Sequence, residues 1–163
     1  MVENNAPAMR MSLTSSSPEE TRRIAAALGA KCHGGEIFLL YGDLGAGKTC
    51  FVQGLAEGLE VKPELRVTSP TFTIHAEYPG RLVLNHLDLY RLEEAVMLDG
   101  LGIEDMLADT AAVTAAEWPE MLEPMVGMAR MDVRIDDAGE GRRTIELSAY
   151  GRRLSRLLTA AAG

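Results

Sequence analysis

An α/β fold, with helices flanking a central mixed sheet, is predicted by three features of this 163-residue sequence. Short apolar runs alternate with amphipathic segments at helical spacing, which argues against all-α and all-β classes. One buried-strand pattern, Glu36–Tyr41, passes straight into a glycine-rich turn and then a helical segment. Two further stretches place extended segments on either side of turn residues, so hairpins accompany the strand–turn–helix unit. The length suits one domain, and 47% hydrophobic residues supply its core.

The elements follow in order. Residues 1–8 read as a disordered tail, and residues 9–163 as the single domain, which opens with a short edge strand over Met9–Thr14. Ser17 is placed to cap a helix, Pro18 suits its first turn, and Glu19 and Glu20 favour its positive end. Gly34-Gly35 stop that helix, and its apolar stripe (Ile24, Ala27, Leu28, with Cys32) requires a larger body to pack on. Glycines bound the strand at Glu36–Tyr41, and Thr49–Leu59 is helical, ending near Gly58.

From Val67 to Leu92 the chain reads as extended segments around a Pro79-Gly80 turn. Glu93–Leu107 is helical but interrupted by Gly100 and Gly102. The run Ala111–Trp118 is a weak strand, because alanine is a poor strand former. Met128–Ile135 and Thr144–Ala149 alternate apolar and polar residues across the turn-rich Asp136–Arg142, which makes a second hairpin. A short helix over Arg152–Ala162 closes the chain.

Composition narrows the function classes. The net charge of -8 argues against an autonomous grip on nucleic acid. Val83–Gly127 holds ten Asp/Glu and a single Arg, Arg91, whereas Met128–Gly163 holds seven Arg and five Asp/Glu. The acidic middle is either a face for a basic protein partner or a solvated surface. No apolar run is long enough to span a bilayer, and the N-terminal residues lack a secretory pattern. Cys32 and Cys50 sit outside any CxxC pattern, so free thiols in a cytoplasmic setting are expected.

Chemistry concentrates in Gly42-Asp43-Leu44-Gly45-Ala46-Gly47-Lys48-Thr49, which satisfies GxxxxGK[ST] between a strand and a helix. Glycines let the backbone curl until several N–H groups point inward as an anion nest, to which the helix adds its positive end. Lys48 would reach the β- and γ-phosphates, and the Thr49 hydroxyl would ligate Mg²⁺. The expected nucleotide-binding set is therefore Asp43, Leu44, Gly45, Ala46, Gly47, Lys48 and Thr49, with Cys50 next in the helix, its thiol a packing group. The fold is thus expected to be a single-domain P-loop NTPase.

Such a site also needs an acidic residue at the end of a second strand, to hold Mg²⁺ or orient water. Asp88, after the apolar run of "LVLNHLD", and Glu117, in "AAVTAAEWPE", both qualify, and each also fits a plain strand-end residue. Guanine reading through NKxD is excluded, because none of Asn4, Asn5 and Asn85 precedes Lys. A small-metabolite kinase stays in play on size and P-loop. Such kinases bring arginines over the phosphates, yet the middle of the chain offers only Arg91. Arg142, Arg143, Arg152, Arg153 and Arg156 lie in a hairpin and a terminal helix, where they read as surface residues.

The succession "GDLGAGKT", "QGLAEGL", "VTSPTFTI", "HLDLYRL" and "EWPE", in order from Thr21 to about Glu120, resembles the bacterial TsaE (YjeE) family. That resemblance implies an ATPase required for making threonylcarbamoyladenosine in tRNA, with ATP and Mg²⁺ bound at the P-loop. It places Thr71 in a switch-like loop where its hydroxyl senses metal and γ-phosphate. Asp88 and Glu117 become the acidic pair, with Lys48 and Thr71 completing the catalytic set and Glu117 joining Thr49 on the metal. Trp118 becomes the aromatic beside the nucleotide, or else a buried anchor of the strand end. His86, Tyr90 and Arg91 match the motif, and His86 reads first as a hydrogen-bonded core histidine. Two departures stand out: Cys50 where the family often has Thr, and a less apolar strand before Glu117.

The resemblance further implies that the acyl chemistry belongs to other proteins. A TsaD–TsaB type complex would be the partner, and this chain would spend ATP on resetting or regulating it, touching tRNA only indirectly. Slow hydrolysis by the isolated chain, accelerated by the partner, is the expectation.

Overall fold

Parallel pairing of β2 (Ile37–Tyr41) with β5 (Ala112–Glu117) and β6 (Met131–Gly139), and of β5 with β4 (Val83–Asp88), forms the middle of the sheet. The structure, a computed structural model, describes residues 5–92, 98–127 and 129–163. Antiparallel strands extend both sides: β3 (His75–Tyr78) on β4, and β7 (Arg142–Ala149) with β1 (Met9–Ser15) on β6. Among the described residues this makes a seven-stranded mixed sheet of order β1-β7-β6-β2-β5-β4-β3. The architecture is the single α/β domain that the sequence predicts.

Helix α1 (Pro18–Lys31) is capped as expected, with the Ser17 side chain accepting from Glu20 N–H at 3.1 Å. It packs with α2 (Lys48–Gly58) and α5 (Gly151–Ala162) on one sheet face, where Leu28, Phe51, Leu55 and Leu158 meet Phe38, Leu40 and Val133. On the other face, Ile37 and Leu39 meet Ile103 of α3 (Ile103–Ala108) and Leu122, which precedes α4 (Glu123–Val126). The alternation along β2 explains this division, since successive side chains point to opposite faces. Burying a Phe or Leu there contributes roughly 1.5–3 kcal/mol each.

Several boundaries differ from the sequence reading. The alanine-rich run is no marginal strand: β5 lies between β2 and β4, and all six of its residues are buried. Small side chains fit a strand covered on both faces, and burial overrides intrinsic propensity there. The second hairpin is longer than its alternation suggests, and its loop narrows to Glu140-Gly141. Both residues have positive φ, 55° and 75°, as a two-residue loop matched to strand twist requires. Of the helix expected over Glu93–Leu107, residues 93–97 lie outside the described residues. The part described begins at Ile103, after Gly100 and Gly102 at φ 82° and 69°. In the expected tail, residues 1–4 also lie outside the described residues, while the Ala8 N–H donates to the Ala149 carbonyl at 2.8 Å.

β2, β5 and β4 run the same way, so their C-terminal ends deliver Gly42, Glu117 and Asp88 to one edge of the sheet. Asp88 and Glu117 are register partners, side by side on neighbouring strands.

Candidate functional site

The turn after β2 is shaped by its glycines. A Cβ on Gly42 would sit 2.5 Å from the Ile135 carbonyl oxygen, so only glycine allows the strand end to pass so close. Gly47 takes φ 113° as the residue before α2, with no side-chain cap on the helix. The first N–H groups of α2 therefore remain available to an anion.

Lys48 is nearly buried, at 4% exposure, and its Nζ donates to the carbonyls of Gly42 and, at 3.0 Å, Asp43. The ammonium also lies 4.0 Å from the centre of the Trp118 ring. Burial pushes the Lys48 pKa below the usual lysine value, opposed by the negative charges of Glu117, Asp88, Asp43 and Glu120. The Thr49 hydroxyl donates to Glu117 at 3.0 Å (Oε1) and 3.2 Å (Oε2). Behind it, His86 Nε2 donates to Glu117 Oε2 at 2.6 Å.

Asp88 serves a different set of donors. Its Oδ2 accepts from Ser69 Oγ and, at 3.0 Å, from Thr71 Oγ1, while Oδ1 accepts from the Tyr90 N–H at 3.0 Å. The two acids are thus divided: Glu117 faces Thr49, which follows the glycine turn, and Asp88 holds the Ser69–Thr71 loop.

Trp118 follows β5 in the left-handed region, at φ 55° and ψ 57°. For a side chain of this size that conformation costs of order 1–2 kcal/mol. It turns the indole back over Lys48, and the Tyr90 ring packs at 5.0 Å from it. Trp118 is therefore both the end of the strand and a wall of the site.

A cleft of about 400 Å³ is lined by Leu44 to Cys50, Ser69, Thr71, Asp88, Tyr90, Glu117 and Trp118. Of the residues expected to bind nucleotide or act in catalysis, Asp43 alone is not on the cleft wall, and it contributes a carbonyl to Lys48; the motif residues His86 and Arg91 are not on that wall either. Cys50 is at the rim, half-buried, with Sγ 3.3 Å from the Pro18 carbonyl oxygen. The donor set around Thr49 and Glu117 is a hydroxyl beside a carboxylate, all oxygen, which suits Mg²⁺ completed by phosphate oxygens and water.

Three participants carry no site role in the sequence reading. Ser69 shares Asp88 with Thr71, and its place two residues earlier in "SPTF" was the available signal. Tyr90 stacks against Trp118, which no local pattern reveals. Arg143, read as a surface residue, reaches the glycine turn after β2 and donates to the Ala46 carbonyl at 2.8 Å. A contact across 97 residues of chain leaves no trace in spacing. Arg153 is likewise engaged, with the Gly34 carbonyl and the buried Glu36 carboxylate.

Comparison with known proteins adds an independent line. Residues 15–145 match the family model described as Threonylcarbamoyl adenosine biosynthesis protein TsaE. The chain is 40% identical over 141 residues to the tRNA threonylcarbamoyladenosine biosynthesis protein TsaE of Bacillus subtilis, an alignment covering 86% of each chain. Identity to the protein of the same name from Treponema pallidum is 36% over 138 residues, covering 85% of this chain and 100% of that one. The crystal structure of Bacillus subtilis YdiB is similar throughout, with a TM-score of 0.76 and 34% identity, over 94% of this chain and 95% of that one.

Proposed function

Because this chain belongs to the TsaE family of threonylcarbamoyl adenosine biosynthesis proteins, we propose that it is a Mg²⁺-dependent ATPase serving threonylcarbamoyladenosine formation in tRNA. Its hydrolysis resets or regulates a TsaD–TsaB type complex that performs the transfer. The observation that best supports this reading is the meeting of Thr49 and Glu117 beside a glycine-shaped loop at the sheet's C-terminal edge. Open α/β sheets bind ligands at that edge, and a hydroxyl next to a carboxylate is what a nucleotide-bound cation needs.

The residues divide the work as follows. The N–H groups of Gly45, Gly47, Lys48 and Thr49 bind the phosphates, and Lys48 leaves its two carbonyl partners to neutralise the β–γ bridge. Thr49 and Glu117 hold Mg²⁺, which supplies charge neutralisation on the phosphate oxygens. Glu117 also orients the attacking water. Asp88 keeps Ser69 and Thr71 at the cleft mouth, where the Thr71 hydroxyl responds to the γ-phosphate. Trp118 and Tyr90 wall off solvent on the far side.

Partner dependence is supported by the rim. Leu44 on the cleft wall and Phe72 beside Thr71 are 70% and 82% exposed, apolar side chains that a bound partner would cover. No helix among the described residues is long and apolar enough to cross a membrane. Action in the cytoplasm, on a protein complex that itself carries the tRNA, is part of this proposal.

The test is phosphate release from ATP by the wild type and Glu117→Ala, with and without the TsaD–TsaB pair. Slow release that the pair accelerates and Glu117→Ala abolishes is expected. Phosphoryl transfer to a small acceptor, with little hydrolysis in its absence, would instead make the chain a small-metabolite kinase.

A further inference from the structure

The β6–β7 hairpin backs the phosphate loop, and one of its arginines holds the loop's backbone. Arg143 on β7 donates from Nε to the Ala46 carbonyl at 2.8 Å and from Nη2 to the Gly45 carbonyl at 3.4 Å. The rest of the guanidinium is held in place: Nη1 donates to the Arg142 carbonyl at 3.0 Å and pairs with Asp137 Oδ1 at 3.1 Å. Ile135 on β6 presses on the same loop, with its carbonyl against Gly42 and its side chain facing Gly47.

A trans peptide is planar, so its C=O and N–H point in opposite directions. Drawing the Ala46 carbonyl toward Arg143 therefore turns the Gly47 N–H the other way, toward the cleft. The Ala46 N–H is already used, donating to the Asp43 carbonyl at 3.0 Å. The Gly47 peptide is then the unit of the loop whose aim depends on Arg143. Asp137 neutralises the guanidinium, so its effect is one of orientation and not of added positive charge.

We propose that Arg143 is a positioning residue for the nucleotide: it holds the Ala46 and Gly45 carbonyls outward and so preorganises the loop N–H groups for phosphate. This rests on the reading of the cleft as a nucleotide site. The device needs a planar fork with several fixed N–H directions, which lysine does not offer. It also makes the C-terminal hairpin a working part of the phosphate site.

The experiment is ADP titration of the full chain by calorimetry, with and without Mg²⁺, for wild type, Arg143→Ala, Arg143→Lys and Asp137→Asn. Thermal unfolding is followed with and without ADP, and KM and kcat for ATP are measured. Arg143→Ala and Arg143→Lys should each lose about tenfold or more in ADP affinity, as expected for one bond to a charged phosphate. Their ligand-free Tm should stay near that of the wild type, and KM should rise more than kcat falls. Asp137→Asn, which leaves both carbonyl contacts in place, should lose less.

Unchanged ADP affinity in a folded Arg143→Ala protein overturns the proposal, as does full rescue by lysine. A fall in ligand-free Tm that accounts for the whole loss of binding makes Arg143 merely structural and overturns it too. A wild type that binds no ADP removes the nucleotide reading itself, and the Arg143 proposal with it.

Discussion

His86 Nε2 lies 2.6 Å from Glu117 Oε2, with both residues buried and Glu117 also lining the cleft, and the other ring nitrogen, Nδ1, has no partner among the described residues. Glu117 is thus held between a buried imidazole and the Thr49 hydroxyl. Removing the ring leaves a buried carboxylate short of a donor and opens a cavity beneath it. His86→Ala should therefore lose about 2–4 kcal/mol of stability and most Mg²⁺-dependent turnover. His86→Gln, whose amide can donate to Glu117 from the Nε2 position, should recover much of both. Urea unfolding together with ATP hydrolysis decides this. Equal behaviour of the two variants would show that the bond to Glu117 does not matter.

Lys48 gives a pH-dependent prediction with opposite signs for the free and bound protein. Burial lowers its pKa in the ligand-free fold, against about 10.4 for a free lysine. Between those two values the unfolded chain holds the proton and the native chain does not, so ligand-free stability from this residue rises with pH. Bound phosphate reverses the preference, since an adjacent anion favours the ammonium. ADP binding should accordingly take up protons at alkaline pH, and affinity should fall there as Lys48 deprotonates. Lys48→Met should cut ADP affinity at least about a hundredfold while leaving ligand-free stability within about 1 kcal/mol of wild type. Calorimetry in buffers of different ionisation enthalpy reads the proton uptake directly. Proton release on binding would contradict the argument.

What the sequence made legible was local. A strand, a glycine turn and a helix lie within one short stretch, so the strand–turn–helix around Gly42–Thr49 was readable without tertiary information. Asp88 and Glu117 were both visible as acids ending strands, but not their division of labour. That division depends on β4 and β5 being parallel neighbours, which brings Asp88 opposite Glu117 in register. The strength of β5 was misread because alanine propensity says nothing about burial on two faces. The reach of Arg143 stayed hidden for the same kind of reason, since the strand order and not the spacing sets it beside Ala46.

The two cysteines should react very differently. Cys32 is fully buried, its Sγ 3.5 Å from the Leu28 carbonyl oxygen, and burial drives its thiol far above the ordinary range. Cys50 is half-buried at the cleft rim; burial raises its pKa too, with Arg22 opposing. Reaction follows the thiolate, so a raised pKa means slow labelling near neutrality that accelerates as pH climbs past the ordinary thiol value. Ellman's reagent should titrate Cys50 alone in the native protein and Cys32 only after unfolding. ADP should slow the Cys50 reaction, because the residue lines the cleft proposed to hold the nucleotide. Equal rates with and without saturating ADP would place the nucleotide elsewhere.

Gly54 carries the last prediction, on how α1 and α2 approach. It sits inside α2, where replacing Gly by Ala ordinarily gains about 1 kcal/mol in an exposed helix. Here a Cβ would meet the Ala25 Cβ at 2.6 Å and the Arg22 backbone closer still, so the helices could not keep their spacing. Gly29 makes the reciprocal contact from α1, its missing Cβ 2.6 Å from the Leu55 carbonyl oxygen. Neither neighbour is a flexible side-chain tip, and overpacking of this kind costs about 1–3 kcal/mol. Gly54→Ala should therefore destabilise the protein despite its better propensity. It should also weaken ADP binding, because α2 begins at Lys48 and any shift of the helix moves the glycine turn proposed to hold the phosphates. Thermal unfolding and ADP titration of this single variant test both steps, and a Tm at or above that of wild type would show that α1 and α2 have room to separate.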